Sequence, residues 1–275
     1  MRPILFHVFG FPIHSYGVML VIAFLIGIAL VRKRAPKFGI DPQKVTDALI
    51  IALFIGVLGA RIFFIAQELP YYLKHLHQLF SPEFAGLTSF GGLAFGLAWM
   101  IYWAKRNKVS TWNMIDCLGP SFLIGTAVGR IGCILNGCCY GGICQSNFPL
   151  AIYIPQDGHY HYPAQLIDLG LNLLGMATLL MLEKRSFFKS GQVGASSLIV
   201  FGAARFIYEF WRGGTAAQVA SGDATSEYLF WKITEAQVAA AVVIAIGFVL
   251  YFVLARMQSR QQIATNTGAP KGSVA

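Results

Sequence analysis

Arg61, Arg130 and Arg205 lie inside three separate apolar segments. A charge at membrane depth is expensive and is kept where it performs a function. The guanidinium is a planar, permanently charged fork suited to phosphate, so arginines gathered in one layer point to an anionic headgroup. Glu209 follows Arg205 by four residues, which puts it on the same helix face within ion-pair reach. Gln165 and Asp168 open another apolar segment, and His14 and Tyr16 open the first. Two carboxylates for three arginines leave positive charge for an anionic ligand to balance. A purely structural use would instead pair the arginines with Glu209, Asp168 or helix C-terminal carbonyls to hold the helices together.

The run from Gly129 to Gly141, GRIGCILNGCCYG, is the densest local signal. Glycines this frequent at the end of an apolar helix let the backbone turn and approach a ligand closely. The same run carries Cys133, Cys138 and Cys139, with Cys144 shortly after. These thiols could form disulfides or, with His159 or His161, ligate a metal, although no CxxC pair is present. Cys117 lies within an apolar segment and reads as an inert packing residue.

The elements that must position these groups are membrane helices. The chain is 56% hydrophobic and only 12% charged over 275 residues, which excludes an ordinary soluble domain. Seven segments can span a hydrocarbon core: 15-31, 45-66, 88-104, 112-135, 163-182, 192-211 and 233-255. The expected fold is an all-α, polytopic integral membrane bundle with one domain over 1-257. Residues 67-87 are expected to form an interfacial segment on the outer surface, and 136-162 an outer loop. A polar, disordered cytoplasmic tail is expected over 258-275. The opening residues lack the pattern of a removable signal peptide. Gly92 with Gly96, and Gly125 with Gly129, provide small-xxx-small pairs for close helix packing.

Basic residues orient the spans. Arg32, Lys33, Arg34, Lys37 and Lys44 follow the first span, and Lys105, Arg106 and Lys108 follow the third. Lys184, Arg185 and Lys189 follow the fifth, and Arg256, Arg260 and Lys271 the last. Arg2, Lys74, Arg212 and Lys232 fall on the other side. The N-terminus is therefore expected outside and the C-terminus in the cytoplasm. Spans two, four and six then run outward, and Arg61, Arg130 and Arg205 each sit in the last third of a helix. The net charge of +9 follows from the same bias and from anionic lipid, with no nucleic-acid partner.

GRIGCILNGCCYG resembles the signature of the bacterial prolipoprotein diacylglyceryl transferases, Gly-Arg-x-Gly-Asn-Phe-x-Asn-Gly-Glu-x-x-Gly. The resemblance covers nearly the whole chain. IHSYGVML at 13-20 looks like the family's Tyr-Gly opening of span one, and GARIFF at 59-64 resembles its Gly-Arg in span two. YPAQLID at 162-168 is similar to its His-Pro-Ser-Gln-Leu-Tyr-Glu, and GAARFIYEFWR at 202-212 to its Arg-x-x-x-Glu-Phe-x-Arg.

The resemblance implies transfer of a diacylglyceryl group from phosphatidylglycerol to the lipobox cysteine of a preprolipoprotein signal peptide. A thioether forms and glycerol phosphate leaves, in a bacterial cytoplasmic (inner) membrane. It implies phosphate-binding and transition-state roles for Arg130 and Arg205, with Glu209 orienting Arg205, and matches Tyr16, Asn136, Gly132, Gly141 and Arg212 to family positions. Arg61, Gln165 and Asp168 join them by depth as substrate-binding candidates. No metal and no organic cofactor is implied.

The chain departs from the pattern at several positions. Phe90 stands at a family His, Cys133 at an Asn and Cys138 at a Glu; Tyr162 replaces a His, with His161 one residue earlier. Because the acceptor must react as thiolate, its proton could be lost through arginine electrostatics or to Asp168, Glu209 or His161. A covalent route through Cys138 or Cys139 is a further option. Two other classes fit part of the pattern. One is a diverged paralogue that binds phospholipid or modifies another acceptor. The other is an anionic-lipid transporter, which the absence of an inverted repeat disfavours.

Overall fold

The computed structural model describes residues 3–8, 11–74, 88–155, 158–185, 187–212, 228–230 and 233–266. The chain is mostly helical and divides into two units, 28–114 and a second made of 1–27 with 115–275. Among the described residues, six helices are long and apolar enough to cross a membrane.

Helix α1 (Ser15–Arg34) starts among the residues of the other unit and ends in the 28–114 unit, where it runs into a 3-10 turn, Ala35–Phe38. Gly39, at φ 69°, reverses the chain there and lets Ile40 N–H donate to the Ala35 carbonyl at 3.0 Å. Helix α2 (Pro42–Gln67) starts on two N-terminal signals, Pro42 in its first turn and Asp41 as cap. The Asp41 carboxylate accepts the backbone N–H groups of Gln43 at 2.7 Å and Lys44 at 3.1 Å. These two N–H groups, that of Lys44 foremost, hold the Asp41 carboxyl below its ordinary value.

Helices α2 and α4 (Ser89–Arg106) pack antiparallel along a seam of small residues. An added Cβ at Gly56 would lie 3.2 Å from the Gly92 carbonyl oxygen, and one at Gly96 would lie 3.6 Å from that of Ala52. Trp99 closes one end by donating to the Ala48 carbonyl at 3.0 Å, and Thr88 N–H closes the other on Ala60 at 3.3 Å. Gly92 and Gly96 therefore serve as the small-residue pair expected of them. At 18 residues and about 27 Å long, α4 stands outside those six, whose spans run from 20 to 26 residues when adjoining 3-10 turns are included. Of the stretch 67–87, the part to Lys74 is described, including helix α3 (Leu69–Lys74). His75 and His77 lie outside the described residues.

In the other unit, strands β1 (Ile4–Val8) and β2 (Phe11–His14) form an antiparallel hairpin leading into α1. Helices α5 (Thr111–Asn136), α6 (Ala164–Lys184) and α7 (Gln192–Tyr208) follow, and α7 continues as a 3-10 turn, Glu209–Trp211. Between α5 and α6 lies a three-stranded antiparallel sheet of β3 (Ile143–Cys144), β4 (Ile152–Ile154) and β5 (His159–His161), ordered β3-β5-β4. The last elements are β6 (Tyr228–Phe230), β7 (Ile233–Thr234) and helix α8 (Glu235–Asn266). The helical expectation holds for the spans, and the short strands are an addition to it: stretches rich in Ile, Tyr and Phe outside the spans pair locally, too briefly for a period-two pattern to announce them. The polar stretch from Gln258 continues α8 through Asn266, and 267–275 lie outside the described residues.

Helices α5 and α7 run parallel at a constant offset. Buried Asp116 accepts the N–H of Gly194, 78 residues further on, at 2.8 Å, and that of Gly191 at 2.5 Å. A carboxylate at the start of α5 thereby satisfies two donors at the N-terminus of α7, where the helix dipole also favours it. Gly119 allows close approach next: an added Cβ would sit 2.5 Å from the Ser197 hydroxyl oxygen and 3.2 Å from Gly194 Cα. Phe122 then meets Phe201 edge to face at 4.9 Å. Gly125 and Gly129 behave differently from the expected packing pair, since an added Cβ at either meets nothing within 4 Å.

Candidate active site

Carried up by eleven residues on both helices, that offset brings Arg130 on α5 alongside Tyr208 on α7. The Arg130 guanidinium lies over the Tyr208 ring, 4.8 Å from its centroid, and the Arg205 guanidinium lies 4.7 Å from the same centroid. Tyr208 is 1% exposed, so a desolvated aromatic face carries two cations, the setting in which cation–π attraction is strongest.

Each of these arginines also meets a buried carboxylate. Arg130 Nε donates to Asp168 Oδ2 in the second turn of α6. Asn172, one turn on, fixes that carboxylate by donating Nδ2 to Asp168 Oδ1 at 3.0 Å, and it also donates to the Asp168 carbonyl at 2.8 Å. Arg205 Nη2 lies 3.3 Å from Glu209 Oε2, the spacing of four residues expected from the sequence. The same oxygen receives Arg212 Nη1 at 3.4 Å. Arg130, Arg205 and Arg212 are thus joined to two carboxylates, Asp168 and Glu209, both nearly inaccessible.

The loop after α5 is stitched to the neighbouring helix ends through its glycines. Gly141 N–H donates to the Tyr162 carbonyl at 2.9 Å, Gly142 N–H to the Trp211 carbonyl at 2.9 Å, and Tyr162 N–H to the Gly142 carbonyl at 3.0 Å. Gly141 and Arg212 form an isolated antiparallel bridge. A Cβ at Gly141 would strike the Trp211 carbonyl oxygen and come within 2.5 Å of Tyr162 Cβ, so only glycine fits where the three segments meet. His161 is fully buried, with Nδ1 2.8 Å from the Gly141 carbonyl and its ring 4.6 Å from that of Tyr140. Gln165, also fully buried, donates Nε2 to the Cys138 carbonyl at 2.9 Å. Its Oε1, like Asn172 Oδ1, is a buried acceptor without a hydrogen-bond partner among the described residues.

Tyr16 is 40% exposed at the start of α1, against Gly132 of α5: an added Cβ at Gly132 would lie 3.1 Å from the Tyr16 ring. Asn136 is the last residue of α5. The sulfurs of Cys133, Cys138 and Cys139 all lie within 4.8 Å of one another. Hydrogen bonds from Cys133 and Cys138 hold the Cys139 thiol far below its ordinary value, and the charges of Arg130 and Arg212 act in the same sense.

Thus Arg130, Arg205, Glu209, Asp168 and Arg212 come together as a network, Gln165 and Gly141 anchor the adjoining loop, and Gly132 backs Tyr16. Arg61 belongs to the 28–114 unit, where its guanidinium lies 5.7 Å from the centre of the Tyr72 ring. Sequence reading passed over Tyr208 and Asn172. The available signals were their spacings, three residues after Arg205 and four after Asp168.

These features define a helical membrane protein that holds arginines against buried carboxylates and an aromatic face, an arrangement suited to binding a phosphate. A family model described as prolipoprotein diacylglyceryl transferase matches residues 3–253. The chain is 30% identical over 242 residues to the phosphatidylglycerol–prolipoprotein diacylglyceryl transferase of Clostridium tetani (strain Massachusetts / E88), covering 83% of this chain and 92% of that one. To the protein of the same name from Streptococcus uberis (strain ATCC BAA-854 / 0140J) it is 27% identical over 261 residues, covering 93% and 96%. To that of Enterococcus faecalis (strain ATCC 700802 / V583) it is 27% identical over 218 residues, covering 76% and 78%. The chain belongs to the prolipoprotein diacylglyceryl transferase family.

Proposed function

We propose that this protein transfers the diacylglyceryl group of phosphatidylglycerol to the lipobox cysteine of a preprolipoprotein signal peptide. The acceptor sulfur attacks the diacylglyceryl carbon next to the phosphate, forming a C–S bond while the C–O bond breaks. The electron pair leaves with glycerol phosphate, which also takes the thiol proton. Charge therefore grows on a phosphate oxygen in the transition state, where fixed cations accelerate the step most. Arg130 and Arg205 hold that phosphate, Glu209 and Asp168 orient them, and Tyr16 and Asn136 complete the headgroup site. The observation that carries the reading is the single buried Tyr208 ring bearing both guanidiniums, each tied to its own carboxylate. The names of the relatives supply the donor and acceptor.

The test is transfer from labelled phosphatidylglycerol to a lipobox peptide by the purified protein. Arg130→Gln and Arg205→Gln should each lose on the order of a hundredfold, as for removal of a positioned charge in a dry site. Full activity in both variants, or no thioether product from the unaltered protein, refutes the proposal.

In the membrane, α4 serves as the seventh span of a single transmembrane domain, with the N-terminus outside and the C-terminus in the cytoplasm of a bacterial inner-membrane protein. The distribution of Lys and Arg supports this. In a cysteine-free background, a cysteine at exposed Leu150 should react with an impermeant reagent from outside, and one at Asn107 only from inside. The reverse pattern would remove the site from the outer face.

A further inference from the structure

The three clustered thiols have no part in the transfer chemistry above. Their approach follows from how α5 ends. Gly137, at φ 74°, donates its N–H to the Ile134 carbonyl at 3.3 Å, and Cys138 N–H reaches back to the Cys133 carbonyl at 3.0 Å. This is the Schellman arrangement, in which the side chains at the Cys133 and Cys138 positions come into contact. Cys139 then takes φ 61°, a left-handed conformation that non-glycine residues adopt at a cost, and its sulfur joins the other two. A helix end has thereby gathered three sulfurs that no sequence spacing announces.

Simple packing does not account for this set, because Cys133 is buried, Cys138 half-buried and Cys139 exposed. The cluster is a floor with an open mouth. A disulfide fits it poorly. Adjacent Cα atoms are about 3.8 Å apart, shorter than the roughly 4.4–6.8 Å that disulfides span, which weighs against Cys138–Cys139, and any other pair leaves a sulfur over. Three thiolates around a zinc-like ion at about 2.3 Å would lie roughly 3.8 Å apart, within a small inward shift of the spacing present here.

We propose that Cys133, Cys138 and Cys139 bind one thiophilic metal ion of the zinc and copper(I) class. Soft thiolate ligands select these ions, three ligands leave a coordination position open at the exposed side, and each thiol loses its proton as the metal binds. The ion would clamp the end of α5 to the loop that carries Gly141.

The test uses the reduced, metal-depleted full chain in detergent micelles. Cd²⁺ and Co²⁺ are titrated while thiolate charge-transfer absorption is recorded, Cu⁺ is offered from a colorimetric chelator, and bound metal is counted after desalting. The expected result is roughly one ion per chain in the unaltered protein and in Cys144→Ser. Cys138→Ser and Cys139→Ser should each bind at least about tenfold more weakly. Because the Cys139 side chain is exposed, Cys139→Ser keeps the test meaningful should Cys133→Ser fail to fold. No stoichiometric uptake of any of the three ions, or uptake unchanged in Cys139→Ser, overturns the proposal. The measurement needs neither lipid nor acceptor, so it stands apart from the outcome of the transfer assay.

Discussion

Replacing Tyr208 by Leu tests whether the aromatic face is what holds the two arginines ready. Contacts of this kind are worth about 0.5–1 kcal/mol when exposed and about 2 kcal/mol or more when desolvated. The side chains of Arg130 and Arg205 are 17% and 24% exposed, and Tyr208 is 1% exposed, which places each contact near the middle, at about 1 kcal/mol. Loss of both removes about 2 kcal/mol of positioning, or about thirtyfold in turnover if it is felt fully in the transition state. Tyr208→Phe keeps the ring and should stay within about threefold of the unaltered rate. The assay is transfer from phosphatidylglycerol to a lipobox peptide, with phosphatidylglycerol affinity measured in parallel. Truncating so buried a ring also weakens the fold, so rates are compared only below the unfolding temperature of each variant. Undiminished turnover in folded Tyr208→Leu would refute the reasoning, and an equal loss in Tyr208→Phe would shift it from the ring to the hydroxyl.

The same structure predicts three further results. Gly119→Val should wedge α5 from α7 against Ser197 and the Gly194 backbone, costing about 1–3 kcal/mol in chemical or thermal unfolding; Ser197→Gly should restore part of it, and no rescue would argue against the contact. Gly141→Ala should cost a similar amount, about 1–3 kcal/mol, and lower transfer as well, because the Trp211 carbonyl it strikes is backbone; a neutral result in both assays would contradict the three-segment junction. Asp41 stabilises α2 as an anion whose pKa is lowered in the fold, so its contribution is complete above its unfolded-state pKa and is lost as pH falls through the lower folded value. The stability deficit of Asp41→Ala, followed by thermal unfolding, should therefore be present at neutral pH and shrink on acidification, and a deficit independent of pH would count against the cap.

What could be read from the sequence depended on whether a residue announces itself on its own helix. Arg130 and Arg205 do, because a charge in an apolar run is conspicuous whatever surrounds it, and Glu209 follows from helical spacing alone. Asp168 required only that α6 begin near the level where α5 ends. Tyr208 is one of 11 tyrosines, and nothing in its own segment separates it from a packing or interfacial residue. Its role depends on the parallel register of α5 and α7, which Asp116, Gly119 and Phe122 set through contacts with residues about eighty positions away. The cysteines were obscured for the opposite reason. Their spacing has no metal-site pattern in extended sequence, but one left-handed glycine and one left-handed cysteine fold it onto itself. Hydropathy thus located the charges, whereas the arrangement that makes them a site was written in glycines, whose meaning depends on what packs against them.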